Sequence, residues 1–202
     1  EAPVDDPHAA RDAARAALQD DPVAANIVHT HTRRKRILIA DMDSTIIGCE
    51  CIDEIADMAG LKPQISAITE RAMRGELDFE TALRERVALL KGLPESVLEK
   101  TYRERVRLNP GARALVETMK ADGAYTALVS GGFTYFTDRV GDAAGFQTRR
   151  ANELIVKSGV LTGAVAEPIL GREAKLEQLE QICQFHALSF DDAIAVGDGA
   201  ND

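Results

Sequence analysis

Ile37-Leu38-Ile39-Ala40-Asp41-Met42-Asp43-Ser44-Thr45 runs four apolar residues straight into two carboxylates set two positions apart. A run that is apolar on both faces suits a buried parallel strand, since strict alternation is needed only where one face meets water. Two later segments repeat this grammar: Tyr125 to Val129 before Ser130-Gly131-Gly132, and Ala193 to Val196 before Gly197-Asp198-Gly199. Helical stretches separate the three. In open parallel sheets ligands sit outside the carboxyl ends of the strands, so Asp41, Ser130 and Asp198 are expected to converge on one crevice. The expected fold class is α/β, with a Rossmann-like parallel sheet as its core.

Between the first two strands, helices are expected near Glu50–Met58, Pro63–Arg74, Phe79–Lys91 and Pro94–Val106, broken at Gly60, Gly75 and Gly92-Leu93-Pro94. About 60 residues of helix exceed an ordinary crossover. The sequence therefore predicts a helical cap domain over 48–109, inserted after the first strand, on a core made of 35–47 and 110–202. Residues 152–165, with Ser158-Gly159 in their middle, read as a hairpin. Upstream, 7–19 reads as a helix capped by Asp6, and 25–31 as a short strand. The chain opens at Glu1 rather than Met and stops at Asp202 inside a glycine-rich motif, so both ends are expected to be cut.

Composition narrows the class. Of 202 residues, 45% are hydrophobic and 28% charged, a globular balance. Acids outnumber bases 33 to 24, for a net charge of -9, which argues against a nucleic-acid surface. The run Arg33-Arg34-Lys35-Arg36 reads as a solvated lead-in to the first strand, since no second basic cluster follows it. No apolar stretch is long enough for a bilayer, so no membrane partner is expected. Three cysteines, Cys49, Cys51 and Cys183, fit neither a zinc site nor a disulfide framework, and a cytoplasmic location is expected.

The chemistry starts at Asp41 and Asp43. Two close carboxylates in a crevice repel, and a hard divalent cation such as magnesium relieves them. A strand-end carboxylate can also attack phosphorus. The plain alternative is a polar turn. Gly197-Asp198-Gly199-Ala200-Asn201-Asp202 adds two more carboxylates and an amide, and Ser130-Gly131-Gly132 offers a hydroxyl and free amides for phosphate oxygens. On a helix from Glu173 to Gln184, Lys175, Leu179 and Ile182 share the inward face. Lys175 then either snorkels from a core edge or stabilises a transferring phosphoryl group. Arg86 lies in the middle of the apolar arc of the 79–91 helix, a costly place for a guanidinium unless an anion pairs with it. That anion is a cap acid or a substrate carboxylate, which a planar fork suits. Glu50 is either a dipole-favoured helix-start acid or an anchor for a substrate ammonium.

Asp41-x-Asp43-x-Thr45, Ser130-Gly131-Gly132, Lys175 and Gly197-Asp198-Gly199-Ala200-Asn201-Asp202 together resemble the haloacid dehalogenase superfamily of phosphatases. Glu50-Cys51-Ile52-Asp53-Glu54 and Leu83-Arg84-Glu85-Arg86-Val87 extend the resemblance to its phosphoserine-hydrolysing branch. The resemblance implies a magnesium-dependent hydrolysis of O-phospho-L-serine, the last step of serine biosynthesis, through an aspartyl-phosphate. It implies Asp41 as nucleophile and Asp43 as general acid and base. Ser130, Gly131 and Lys175 would hold the phosphoryl group. Asp41, the Asp43 carbonyl, Asp198 and Asp202 would serve the metal, with Asn201 orienting phosphate or water. Glu50 and Arg86 would hold the amino-acid end, in a pocket lined by Met73 and Phe79. Some members carry an N-terminal regulatory domain, and residues 1–34 are read as a remnant of one.

Overall fold

The structure, a computed structural model, describes residues 6–18, 21, 25, 28, 30–171 and 173–199. They fall into two compact units, 1–34 and 35–202. In the first unit, helix α1 spans Pro7–Ala17, and Asp6 Oδ1 accepts from the amides of His8 at 2.9 Å and Ala9 at 3.1 Å. A single 3-10 turn covers Thr30–Thr32. Of the strand expected over 25–31, residues 26, 27 and 29 lie outside the described residues, and Thr30 and His31 belong to the 3-10 turn instead.

The second unit opens with β1 (Ile37–Ala40), then α2 (Cys51–Met58), α3 (Lys62–Met73), α4 (Phe79–Ala88), α5 (Ser96–Arg105) and α6 (Ala112–Ala121). It continues through β2 (Tyr125–Phe133), α7 (Thr134–Ala144), β3 (Thr148–Asn152), β4 (Leu154–Lys157), β5 (Val160–Val165), α8 (Glu173–His186) and β6 (Ala193–Val196). Four strands form a parallel sheet in the order β3-β2-β1-β6, and β4 pairs with β5 as an antiparallel hairpin. The α/β class and the helical insertion after the first strand are both present.

Both faces of β1 are buried, which explains its unbroken apolar run. Leu38 and Ala40 pack with Val116 of α6 and Val140 and Ala144 of α7, whereas Ile37 and Ile39 pack with Ile182 and Cys183 of α8. Each fully buried isoleucine contributes about 1.5–3 kcal/mol relative to exposure. Register does the positioning. Ala40 lies opposite Leu128 on one side and Val196 on the other, so Asp41, Ser130 and Asp198 all follow within two residues of one level.

Helices α2 to α5 continue the same hydrophobic cluster through Ile55, Ile65, Leu83, Val87 and Leu98. The hairpin also joins them. Gly92 N–H donates to Leu161 O at 2.9 Å, Leu161 N–H to Leu93 O at 2.9 Å, and Glu95 N–H to Gly159 O at 2.8 Å. The expected break at Gly92-Leu93-Pro94 is therefore a docking strip for β5. One expectation needs correcting: Ser130-Gly131-Gly132 is not a turn. Strand β2 runs on to Phe133, with its pairing to β3 shifted between Val129 and Phe133. No helix among the described residues is long and apolar enough to cross a membrane.

Candidate active site

Where β1 ends, the chain folds back on itself. Met42 O accepts the amides of Ile46 at 2.9 Å and Ile47 at 3.0 Å, and Ser44 takes a left-handed φ of 53°. This tight turn keeps Asp41 and Asp43 at the same strand end. They line a cavity of about 180 Å³ with Glu50, Phe79, Arg86, Ser130, Gly131, Gly132 and Asp198, among others. Residues from the ends of β1, β2 and β6 and from α4 thus meet in one space.

Asp41 is 8% exposed, and Lys175 Nζ lies 3.2 Å from its Oδ1. Lys175 reaches it because Ile182, on the same face of α8, is buried against the sheet and Leu179 packs beside it. Asp43 Oδ1 accepts the Cys51 amide at 3.2 Å. Burial, reinforced by the charge of Glu50, pushes the Asp43 carboxyl up to about 7, against the Cys51 hydrogen bonds. A carboxyl in that range can give and take a proton near neutral pH.

Ser130 is buried, and its Oγ accepts the Gly132 amide at 2.9 Å. The glycines here serve close approach. A Cβ on Gly132 would stand 2.7 Å from Asp43 Oδ2, and one on Gly131 would stand 2.9 Å from Phe79 Cζ. Phe79 of α4 therefore lies against the strand end that carries Ser130.

Arg86 is half-buried and lines the cavity. Its Nε donates to Ala82 O at 3.3 Å within α4, and among the described residues no carboxylate stands within ion-pair distance of it. Burial draws its guanidinium below the ordinary value, while Asp53, Glu50 and Asp43 pull the other way. Glu50 precedes α2 without capping it by side chain, and its Oε1 instead accepts the Ser44 hydroxyl at 2.6 Å. Thr45 Oγ1 donates to Asp198 Oδ1 at 3.0 Å.

Two expected site residues, Asn201 and Asp202, lie outside the described residues. Met73 is not brought to the cavity. It ends α3, whose buried position is Ile65, and at 83% exposed it projects into solvent. Sequence reasoning passed over Ser44 and the Thr45 hydroxyl, which aim the two flanking carboxylates, and it passed over buried Asn152. The one signal for Asn152 was a polar amide at the end of a strand, a residue type that strands disfavour.

The donors fit a hard divalent cation. Asp41 and Asp198 line one cavity, Thr45 orients Asp198, and the described residues that line it offer oxygen ligands. Among the described residues no three His, Cys, Asp or Glu side chains form a ligand group. A magnesium shell of two carboxylates, a main-chain carbonyl and water does not require one.

Residues 38–202 match the model of the haloacid dehalogenase-like hydrolases. A phosphoserine phosphatase of Archaeoglobus fulgidus is 47% identical over 173 residues, covering 86% of this chain and 50% of that protein. One of Polaromonas is 48% identical over 172 residues, covering 83% of this chain and 73% of that protein. The solved structure of a phospho-aspartyl intermediate analogue of phosphoserine phosphatase superposes with a TM-score of 0.77 at 42% identity, over 84% of this chain and 81% of that one. The chain thus spans half the length of the Archaeoglobus relative and most of the other two. With the strand-end carboxylates, the parallel sheet and the helical insertion already in place, these likenesses make the chain a member of the haloacid dehalogenase-like hydrolase family.

Proposed function

We propose that this chain hydrolyses O-phospho-L-serine to L-serine and phosphate with magnesium, in the cytoplasm, through an aspartyl-phosphate on Asp41. The observation that carries the substrate is Arg86: a half-buried guanidinium on the wall of a carboxylate-lined cavity, with no acidic partner among the described residues. A substrate carboxylate is the anion that such a fork takes. Glu50, which lines the same cavity, suits the ammonium, and the relatives named above are phosphoserine phosphatases. Cys49, Cys51 and Cys183 are free thiols, which suits a reducing compartment.

Asp41 attacks phosphorus, and the bond to the serine oxygen breaks as Asp43 delivers its proton to that oxygen. Water then attacks the aspartyl-phosphate, Asp43 takes its proton, and Asp41 leaves as a free carboxylate. Ser130 and Lys175 hold the phosphoryl oxygens throughout, and positioning of this kind supplies most of the catalysis in phosphoryl transfer. Asp41, the Asp43 carbonyl and Asp198 would hold magnesium, with Asp202 in support and Asn201 near the phosphate. The cation would neutralise charge on the phosphoryl oxygens. Phe79 closes the site on the cap side and excludes water. The test is phosphate release, with magnesium, from phosphoserine, phosphothreonine and an aryl phosphate. A strong preference for phosphoserine is expected, and equal rates on all three would remove the amino-acid specificity.

A further inference from the structure

We infer that Asn152 is a positioning residue of the phosphoryl subsite, one that sets the direction of the Ser130 hydroxyl through the Gly131–Gly132 peptide; the inference rests on the phosphatase reading above. Asn152 ends β3 and is 2% exposed. Its Nδ2 donates to Gly131 O at 2.8 Å and to Leu170 O at 3.2 Å, and its Oδ1 accepts Leu170 N–H at 2.7 Å. Both amide hydrogens and an acceptor site are engaged, so the group has one orientation.

The location explains the need. Between Val129 and Phe133 the pairing of β2 with β3 shifts, and there the Asn152 side chain stands in for a strand partner at Gly131. A peptide flanked by two glycines is otherwise free to rotate. Here it is held at both ends: Asn152 fixes its carbonyl, and its N–H, from Gly132, donates to Ser130 Oγ at 2.9 Å. An oxygen that accepts this N–H must turn its own proton elsewhere. Ser130 lines the cavity, so the proton is available to a phosphoryl oxygen there. The other arm of Asn152 pins Leu170, just upstream of α8, which carries Lys175 to within 3.2 Å of Asp41. One buried amide thus sets the Ser130 contact and steadies the approach to the Lys175 contact.

Asn152→Asp, in the full chain with magnesium, tests this. It preserves size and the acceptor for Leu170 N–H but removes both N–H donors. The expected result is about a 100-fold fall in kcat/KM for phosphoserine, the scale of a small misplacement. Binding of inorganic phosphate, read by calorimetry without turnover, should weaken while inhibition by L-serine stays unchanged. Combined with Ser130→Ala, it should add little to the loss from Ser130→Ala alone, because Asn152→Asp keeps the acceptor for Leu170 N–H and its loss falls on the Ser130 contact. Unchanged phosphate binding, or fully additive losses, would overturn the inference. If Asn152→Asp does not fold, Asn152→Ser goes through the same assays. Failure of both to fold would assign Asn152 to stability and equally overturn it. A wild-type chain that binds phosphate but releases none from phosphoserine would instead remove the functional reading, leaving the phosphate-binding comparison to decide on Asn152.

Discussion

Arg71 Nη1 donates to Glu85 Oε2 at 2.9 Å, so the acid that precedes Arg86 in sequence is already engaged on the outer side of α4. Arg86 lines the cavity, and Asp53, Glu50 and Asp43 attract it from beyond pairing distance. Arg86→Ala should therefore raise KM for phosphoserine about 10- to 100-fold, the range of a hydrogen-bonded charge pair. Turnover of an aryl phosphate, which has no carboxylate, should change by less than about threefold on the same scale. Equal losses on both substrates would place Arg86 in the phosphate site instead.

Asp43 carries the pH prediction. Its carboxyl is pushed from 3.8 to about 7, first by burial and then by Glu50. Between those values the folded chain holds a proton that the unfolded chain releases. Stability without magnesium should thus fall as pH rises from about 4 to about 7 and stay low above that. Asp43→Asn removes this cost while leaving an acceptor for Cys51 N–H. In a chelator at pH 8 it should be roughly 1–3 kcal/mol more stable than the parent by denaturant melts, with the gap closing near pH 4. The same substitution should lower kcat by about 100-fold or more, since proton transfer is lost.

The acidic loop after β1 and the shared crevice were legible because strand burial and strand-end acids are local properties of the sequence. Lys175 was legible too, since helical phase alone put it with Leu179 and Ile182. What stayed hidden depends on partners distant in sequence. Ser130-Gly131-Gly132 looked like a turn because nothing local reveals that Asn152 lets the strand continue with shifted pairing. The hydrogen bonds from Gly92-Leu93-Pro94-Glu95 to Gly159 and Leu161 are equally non-local. Met73 was expected in the pocket by resemblance, and the phase of α3, set by buried Ile65, turns it to solvent.

Two adjacent glycines should fail in different ways. Gly132 lacks a left-handed φ, so alanine there brings no backbone strain, but its Cβ would meet Asp43 Oδ2 at 2.7 Å and Ser130 Oγ at 3.1 Å. Gly132→Ala should displace the acid and cut kcat about 100-fold. Alanine at Gly131 meets the end of the Phe79 ring at 2.9 Å, and that residue is 43% exposed and free to swing. Gly131→Ala should raise KM while kcat stays within about threefold, an effect of roughly 0.6 kcal/mol on the barrier. Steady-state kinetics of the pair would separate these effects, and identical profiles would refute the assignment of Asp43 as the displaced group.

Thr45 offers a test of the proposed cation site that leaves every carboxylate intact. Its hydroxyl donates to Asp198 Oδ1 at 3.0 Å, while Asn109 Nδ2 donates to the Thr45 carbonyl at 2.8 Å and holds the residue in place. Thr45→Val keeps the shape and removes only the hydroxyl, so Asp198 loses its orientation but not its charge. Partners that orient metal ligands are worth about 10- to 100-fold in metal affinity. A chelator should abolish phosphate release and added magnesium restore it. In Thr45→Val the magnesium needed for half-maximal rate should rise about 10-fold, with kcat recovered at saturation. A lowered kcat at every magnesium concentration, with unchanged half-saturation, would mean that Thr45 acts on the phosphoryl group rather than through Asp198.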